Sequence, residues 1–223
     1  MAKAVKVTEG VYMLPGVVSR QYIVIGDAGA ILIDAGLPGN GKAVLATLTQ
    51  LRIAPGDLKY ILVTHADADH YGAANEIRAA TGALVNASAV EAEAMAAGRS
   101  SRPLTPKGFE RLFYGLLSPL IRAKPTLVDG VFCEGDHIGD LTVVASPGHT
   151  PGHISLLLEQ RSVLFAGDSI QIKGGRPAPS AGGNTWDADL ARHMYRKQME
   201  LLAGSGYLCC GHGYCHIERV EGE

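Results

Sequence analysis

The chain has 223 residues, 47% of them hydrophobic and 19% charged, with a formal net charge of −2. That is enough apolar material for a sizeable core in one large domain or two small ones, and it excludes disorder as the main state. The near-neutral balance gives no general electrostatic pull toward nucleic acid or an anionic membrane, and no stretch approaches the roughly 20 apolar residues that span a bilayer.

Four cysteines, three of them at 209, 210 and 215, do not make a secreted disulfide framework. The opening residues lack the apolar core of a signal peptide. The expected setting is therefore soluble and cytoplasmic, although a mature chain freed of its leader would look the same.

In chain order, Val5 to Leu14 alternates loosely and reads as a strand before Pro15-Gly16. Tyr22-Ile23-Val24-Ile25 and Ala30-Ile31-Leu32-Ile33 read as a hairpin, the second strand running into Asp34-Ala35-Gly36. Asn40 is placed to cap a helix with Val44, Leu48 and Leu51 on one face. After Pro55-Gly56-Asp57, a strand at Tyr60-Ile61-Leu62-Val63 leads into Thr64-His65-Ala66-Asp67-Ala68-Asp69-His70. A helix is expected from His70 to Ala80, then a short strand at Ala83-Leu84-Val85. Ser88-Ala89-Val90-Glu91 matches a capping box that opens an alanine-rich helix ending near Gly98. This strand–helix alternation is layered α/β architecture.

Residues 99–126 differ, being punctuated by Pro103, Pro106, Pro119 and Pro125 around a very apolar segment at 109–121. That segment is read as a core helix, a lid over a pocket or a dimer contact. Val131 to Val144 reads as strands around Glu134-Gly135-Asp136, followed by the turn Pro147-Gly148-His149-Thr150-Pro151-Gly152-His153. Ile154 to Leu158 and Val163 to Ala166 pair as a hairpin around 159–161, and the second strand ends in Gly167-Asp168. A Gly-, Pro- and Ser-rich loop covers 173–184. Asp187 or Asp189 then caps a helix carrying Leu190, Met194, Gln198, Leu201 and Leu202 on one side, and Tyr207-Leu208-Cys209-Cys210 ends at Gly211-His212-Gly213.

Four segments with metal-ligand side chains each follow a short apolar strand: His65/Asp67/Asp69/His70, His149, Asp168 and His212. Strands of a shared sheet that end on the same side would bring these loops to one edge. Seven N and O donors exceed what one tetrahedral ion needs and suit two ions, about 3.5 Å apart, with a carboxylate between them. Each half of the chain also has a strand ending in Asp near Gly (Asp34; Asp168) and one ending in His (His65; His212), a faint echo of two halves packed face to face.

These residues resemble the metallo-β-lactamase fold hydrolases. The family loop His-x-His-x-Asp-His corresponds to His65, Asp67, Asp69 and His70, followed in order by Gly148-His149-Thr150, Gly167-Asp168 and Gly211-His212-Gly213. Asp34 stands where the family has a structural aspartate beneath the site. The likeness runs from about Val5 to His216 and implies one αββα domain, 1–223, of two mixed sheets with helices outside and a lid or insertion at 99–126. It assigns His65, Asp67 and His149 to one divalent ion and Asp69, His70 and His212 to another, with Asp168 bridging. Zinc is the implied metal, with iron or manganese as alternatives. Asp69 would hold the attacking hydroxide and receive its proton.

The departure is Asp67, where the motif has histidine. Counting charges, three carboxylates and a hydroxide balance two divalent ions. This predicts a neutral site, a weaker Lewis acid and a tilt toward lactone or carboxyl ester over phosphate. An added oxygen ligand also favours iron or manganese somewhat. The implied activity is hydrolysis of an ester-type bond (lactone, carboxyl ester, thioester or phosphoester) in a small substrate with an apolar part. A non-haem iron redox enzyme of the thiol dioxygenase type and a non-catalytic metal-binding sensor stay open as rivals. Nucleic-acid processing lacks a basic cluster, Lys173 and Arg176 being too few. His153 is expected behind the ligands or in packing, His137 in solvent, His193 on a helix flank and His216 in a tail. Tyr71, Tyr114 and Trp186 are candidates for lining a pocket.

Overall fold

The computed structural model describes residues 3–16, 18–27, 29–103, 123–202 and 205–217. The segment 109–121 and Tyr114 lie outside the described residues. The N-terminal half forms a seven-stranded sheet in sequence order: β1 (Val5–Thr8), β2 (Val11–Met13), β3 (Tyr22–Gly26), β4 (Gly29–Ile33), β5 (Leu58–Leu62), β6 (Leu84–Ser88) and β7 (Gly130–Phe132). The first four strands are an antiparallel meander and the last four run parallel. Parallel neighbours need crossover connections. These carry α1 (Gly41–Gln50), the pair α2 (Ala68–Tyr71) and α3 (Ala74–Thr81), and α4 (Ala89–Ala96).

The C-terminal half forms a second sheet in the order β15-β14-β11-β10-β9-β8. Its strands are β8 (His137–Ile138), β9 (Leu141–Ala145), β10 (Ile154–Leu158), β11 (Val163–Gly167), β14 (Gly206–Cys210) and β15 (Gly213–Ile217). A small hairpin, β12 (Ile170–Lys173) with β13 (Arg176–Pro179), and α5 (Ala188–Leu201) separate β11 from β14.

Strand alternation builds the layers. In β4, Ile31 and Ile33 face the second sheet, whereas Ala30 and Leu32 pack under α1 and α3 with Val44, Leu48 and Ile77. In β11, Val163 and Phe165 face the first sheet, whereas Leu164 and Ala166 meet Leu202 and Met199 from the α5 side. The result is helix, sheet, sheet, helix, the expected αββα order. Tyr22 ties the sheets together: its ring meets Phe165 edge-on at 5.5 Å, and its hydroxyl donates to the Cys210 carbonyl at 2.8 Å.

Several local readings are corrected, the first being that Val5 to Leu14 is two antiparallel strands, β1 and β2, around a turn at Glu9-Gly10 and not one strand. Asn40 sits at the start of α1, but its side chain donates to Gln21 and to the Ala35 carbonyl instead of capping the helix. The helix expected over 70–80 is broken at Gly72-Ala73, where the Ala73 amide donates to the Gly36 carbonyl and the His70 carbonyl accepts from the Ala35 and Gly36 amides. The loop at 173–184 holds the turn and second strand of the β12–β13 hairpin, and β15 follows β14; proline and glycine content hid the former.

Candidate metal centre

β4 and β5 run parallel in the first sheet. In the second, β11 is parallel to β14, and β9 shares their direction because β10 is antiparallel to both β9 and β11. The C-terminal ends of β4, β5, β9, β11 and β14 therefore deliver Asp34, residues 65–70, His149, Asp168 and His212 to one edge. Of the residues expected there, His65, His149 and Asp168 form one group whose ligand-type atoms lie within 4.8 Å of one another, and Asp69, His70 and His212 form another. Asp168 faces both groups: its Oδ1 is 3.4 Å from His70 Nε2, and its Oδ2 is 3.7 Å from His149 Nε2 and 3.1 Å from His212 Nε2.

Hydrogen bonds fix the ring orientations. His70 Nδ1 donates to Asp34 Oδ2 at 2.7 Å, and His212 Nδ1 to the Val18 carbonyl at 2.8 Å. Thr64 Oγ1 gives its proton to the Asp34 carboxylate and so accepts from His65 Nδ1 at 3.0 Å. His149 Nδ1 lies 3.0 Å from Ser180 Oγ. All four rings thus turn Nε2 toward the common centre. Asp34 serves two ligands at once and holds a left-handed backbone conformation (φ 58) to do it.

His65 Nε2, His70 Nε2 and Asp168 Oδ1 are buried with no hydrogen-bond partner among the described residues. Buried polar atoms are almost always satisfied, so three orphans aimed at one space fit a bound cation. Imidazole and carboxylate are also the donor set that divalent transition metals take.

The charges are interlocked. Burial works to lower His70, but Asp34, Asp168 and Asp69 outweigh it and hold His70 well above the ordinary histidine value. Burial raises Asp168, but the charge of His70 and the hydrogen bond from His212 hold it well below the carboxylate range. His149 is lowered chiefly by burial. Burial, then the neighbouring His65 and His149, push His153 well below the ordinary histidine value. His153 is not in either group: its Nε2 accepts the Asp168 backbone N–H at 3.2 Å, and its Nδ1 donates to Ser146. Its contact with Asp168 is to the backbone amide, behind the carboxylate that faces both groups.

Asp67 stands beside the first group. Its Oδ2 is 3.5 Å from His65 Nε2 and 3.4 Å from His149 Nε2. Arg102 grips both its oxygens, Nη1 to Oδ1 at 2.8 Å and Nη2 to Oδ2 at 2.7 Å, and Ser100 donates to Oδ1 at 2.7 Å. Burial pushes Asp67 up, but His149, His65 and Arg102 hold it well below the usual value. The sequence count of site charges omitted this arginine. Glu91 was missed as well. It is fully buried and accepts from the Ala66 and Gly152 amides and from the Ser101 and Thr150 hydroxyls, joining three of the loops around the site.

The other singled-out residues are in neither ligand group. His137 is exposed, Tyr71 is buried in the core, and Trp186 is half exposed with its amide donating to the His149 carbonyl.

An αββα sandwich with two ligand groups at the strand ends defines a metal-centre protein of metallohydrolase architecture. Residues 14–212 match the family model of the metallo-β-lactamase superfamily, and the chain belongs to that family. It is 32% identical over 215 residues to the uncharacterized protein YobT of Bacillus subtilis, across 91% of this chain and 85% of that one. It is 26% identical to the hydroxyacylglutathione hydrolase of Rhodospirillum rubrum, over 70% of this chain but only 49% of that protein. A solved metallo-β-lactamase of Cronobacter sakazakii with a HARLDQ motif superposes with a TM-score of 0.68 at 25% identity, covering 95% of this chain and 78% of that one. The HARLDQ motif of that protein, like His65-Ala66-Asp67-Ala68-Asp69-His70 here, has no histidine in the third place. Among the described residues no helix is long and apolar enough to cross a membrane.

Proposed function

We propose that the chain is a metal-dependent hydrolase that cleaves an ester-type bond in a small substrate. The observation that carries this is the convergence of two three-residue ligand groups, sharing the space around Asp168, with three buried ligand atoms left unsatisfied. His65, His149 and Asp168 would hold one divalent ion, and Asp69, His70 and His212 the other. Bound there, the ions would supply Lewis acidity and lower the pKa of a water toward neutrality. Zinc suits the four imidazoles, and each added carboxylate raises the claim of iron or manganese.

The chain's own residues do the rest. Asp34, Thr64, Ser180 and the Val18 carbonyl orient the rings so that every Nε2 points inward. Asp69, with its Oδ2 3.7 Å from both His70 Nε2 and His212 Nε2, would hold the nucleophilic water and take its proton. Similarity to a hydroxyacylglutathione hydrolase supports thioesters as one bond class, beside lactones and carboxyl esters. The half-exposed Trp186 beside His149 supports an apolar part in the substrate.

The test is a panel of lactones, aryl esters, thioesters and phosphodiesters with zinc-, manganese- and iron-loaded protein, alongside Asp168→Ala. Turnover of at least one ester class is expected, falling to background in the variant. Equal rates in both would overturn the reading, and oxygen-dependent consumption of a thiol would replace it with the redox one.

A further inference from the structure

We propose that Asp67 and Arg102 act together as one neutral unit at the first metal position, with Arg102 the residue that positions the aspartate. This rests on the metal-centre reading above and assigns a role to an arginine that no ligand motif contains.

Geometry comes first. Ligand atoms bound at about 2.0–2.1 Å around a tetrahedral ion lie roughly 3.3–3.4 Å apart. Asp67 Oδ2 stands 3.5 Å from His65 Nε2 and 3.4 Å from His149 Nε2, close to that spacing before any ion is considered. The guanidinium fork takes one lone pair of each oxygen, and a carboxylate oxygen has a second, so Oδ2 keeps acceptor capacity beside the two histidines. Arg102 is itself fixed, only 6% exposed, with Nε donating to the Asn184 carbonyl at 2.7 Å.

Charge comes second. The carboxylate adds −1 and the guanidinium +1, so the pair presents an oxygen donor at no net charge. It stands in for a neutral imidazole. The site therefore keeps the charge that the aspartate alone would remove, and the expectation of a weaker Lewis acid lapses. Removing one partner leaves an uncompensated buried charge, which is the costly case.

The test is counterintuitive. Asp67→His installs the ligand of the common motif, yet it strands the Arg102 cation beside His149, 3.4 Å away. Purified Asp67→His, Arg102→Gln, the double variant and Arg102→Lys would be titrated with zinc against a chromophoric chelator. Circular dichroism and melting curves of the metal-free forms would accompany them. Asp67→His is expected to weaken one of the two sites roughly 10- to 100-fold, and the double variant to recover it to within about threefold of the parent. Arg102→Lys, which keeps the charge but loses the fork, is expected to weaken the same site several-fold while folding normally. The unperturbed second site serves as the internal measure of folding. Parent-like affinity in Asp67→His or in Arg102→Lys overturns the proposal, as does a double variant no better than Asp67→His. A parent chain that takes up no metal at all overturns the metal-centre reading itself.

Discussion

At the scale of single residues, the candidate ligands and Asp34 beneath them could be picked out, whereas Glu91 and Arg102 could not. His and Asp at strand ends advertise a metal site because few other roles need those side chains there. Glu91 was explained away by a local pattern. Ser88 does accept the Glu91 amide at 3.4 Å, half of a capping box, but the Glu91 carboxylate turns inward beneath the site. Its four donors come from residues 10 to 61 positions away, a distance at which local spacing carries no signal. Arg102 was hidden for the same reason, 35 residues from Asp67. Glu91→Gln tests the hub. An amide nitrogen cannot accept, so one of the convergent donors is left facing another donor. The expected loss is about 1–3 kcal/mol in urea denaturation, with reduced metal retention. An unchanged midpoint would show that the loops do not depend on the carboxylate.

Elements were read more fully. The hairpins 22–33 and 154–167, the strand before His65, the alanine-rich helix after Ser88 and the helix capped by Asp187 all stand where the apolar periodicity puts them. What escaped was set by contacts between elements. The helix after His70 breaks where its backbone bonds to Ala35 and Gly36, and Gly72 there lies too close to Pro38 for any side chain. The same logic governs the turn after β14. A side chain at Gly211 would overlap Asp168 Oδ1 and His70 Cε1, so this strand can end beside the ligands only as glycine. Gly211→Ala is expected to keep its far-UV circular dichroism while overpacking costs about 1–3 kcal/mol. Metal bound per chain should fall, the His70/His212 position going first. Full occupancy in that variant would mean that the ligands can shift without losing the ion.

For the whole molecule, the layered α/β order followed from the alternation of strand and helix, and the faint echo between halves corresponds to the two facing sheets. Their division falls between β7 and β8, so each sheet is one continuous stretch of chain. Each ligand group draws on both stretches: His65 with His149 and Asp168, and Asp69 and His70 with His212. The shared core, with Ile33 and Leu62 against Phe165 and Leu156, crosses the same divide. A chain severed between Phe132 and Glu134 should therefore reassemble from co-expressed pieces, with zinc tightening the association and a chelator loosening it. Analytical ultracentrifugation of the pieces with and without zinc would read this directly, and association indifferent to zinc would count against it. In that form the centre becomes a metal-operated clasp between two separable fragments, which a reporter of cellular zinc could exploit.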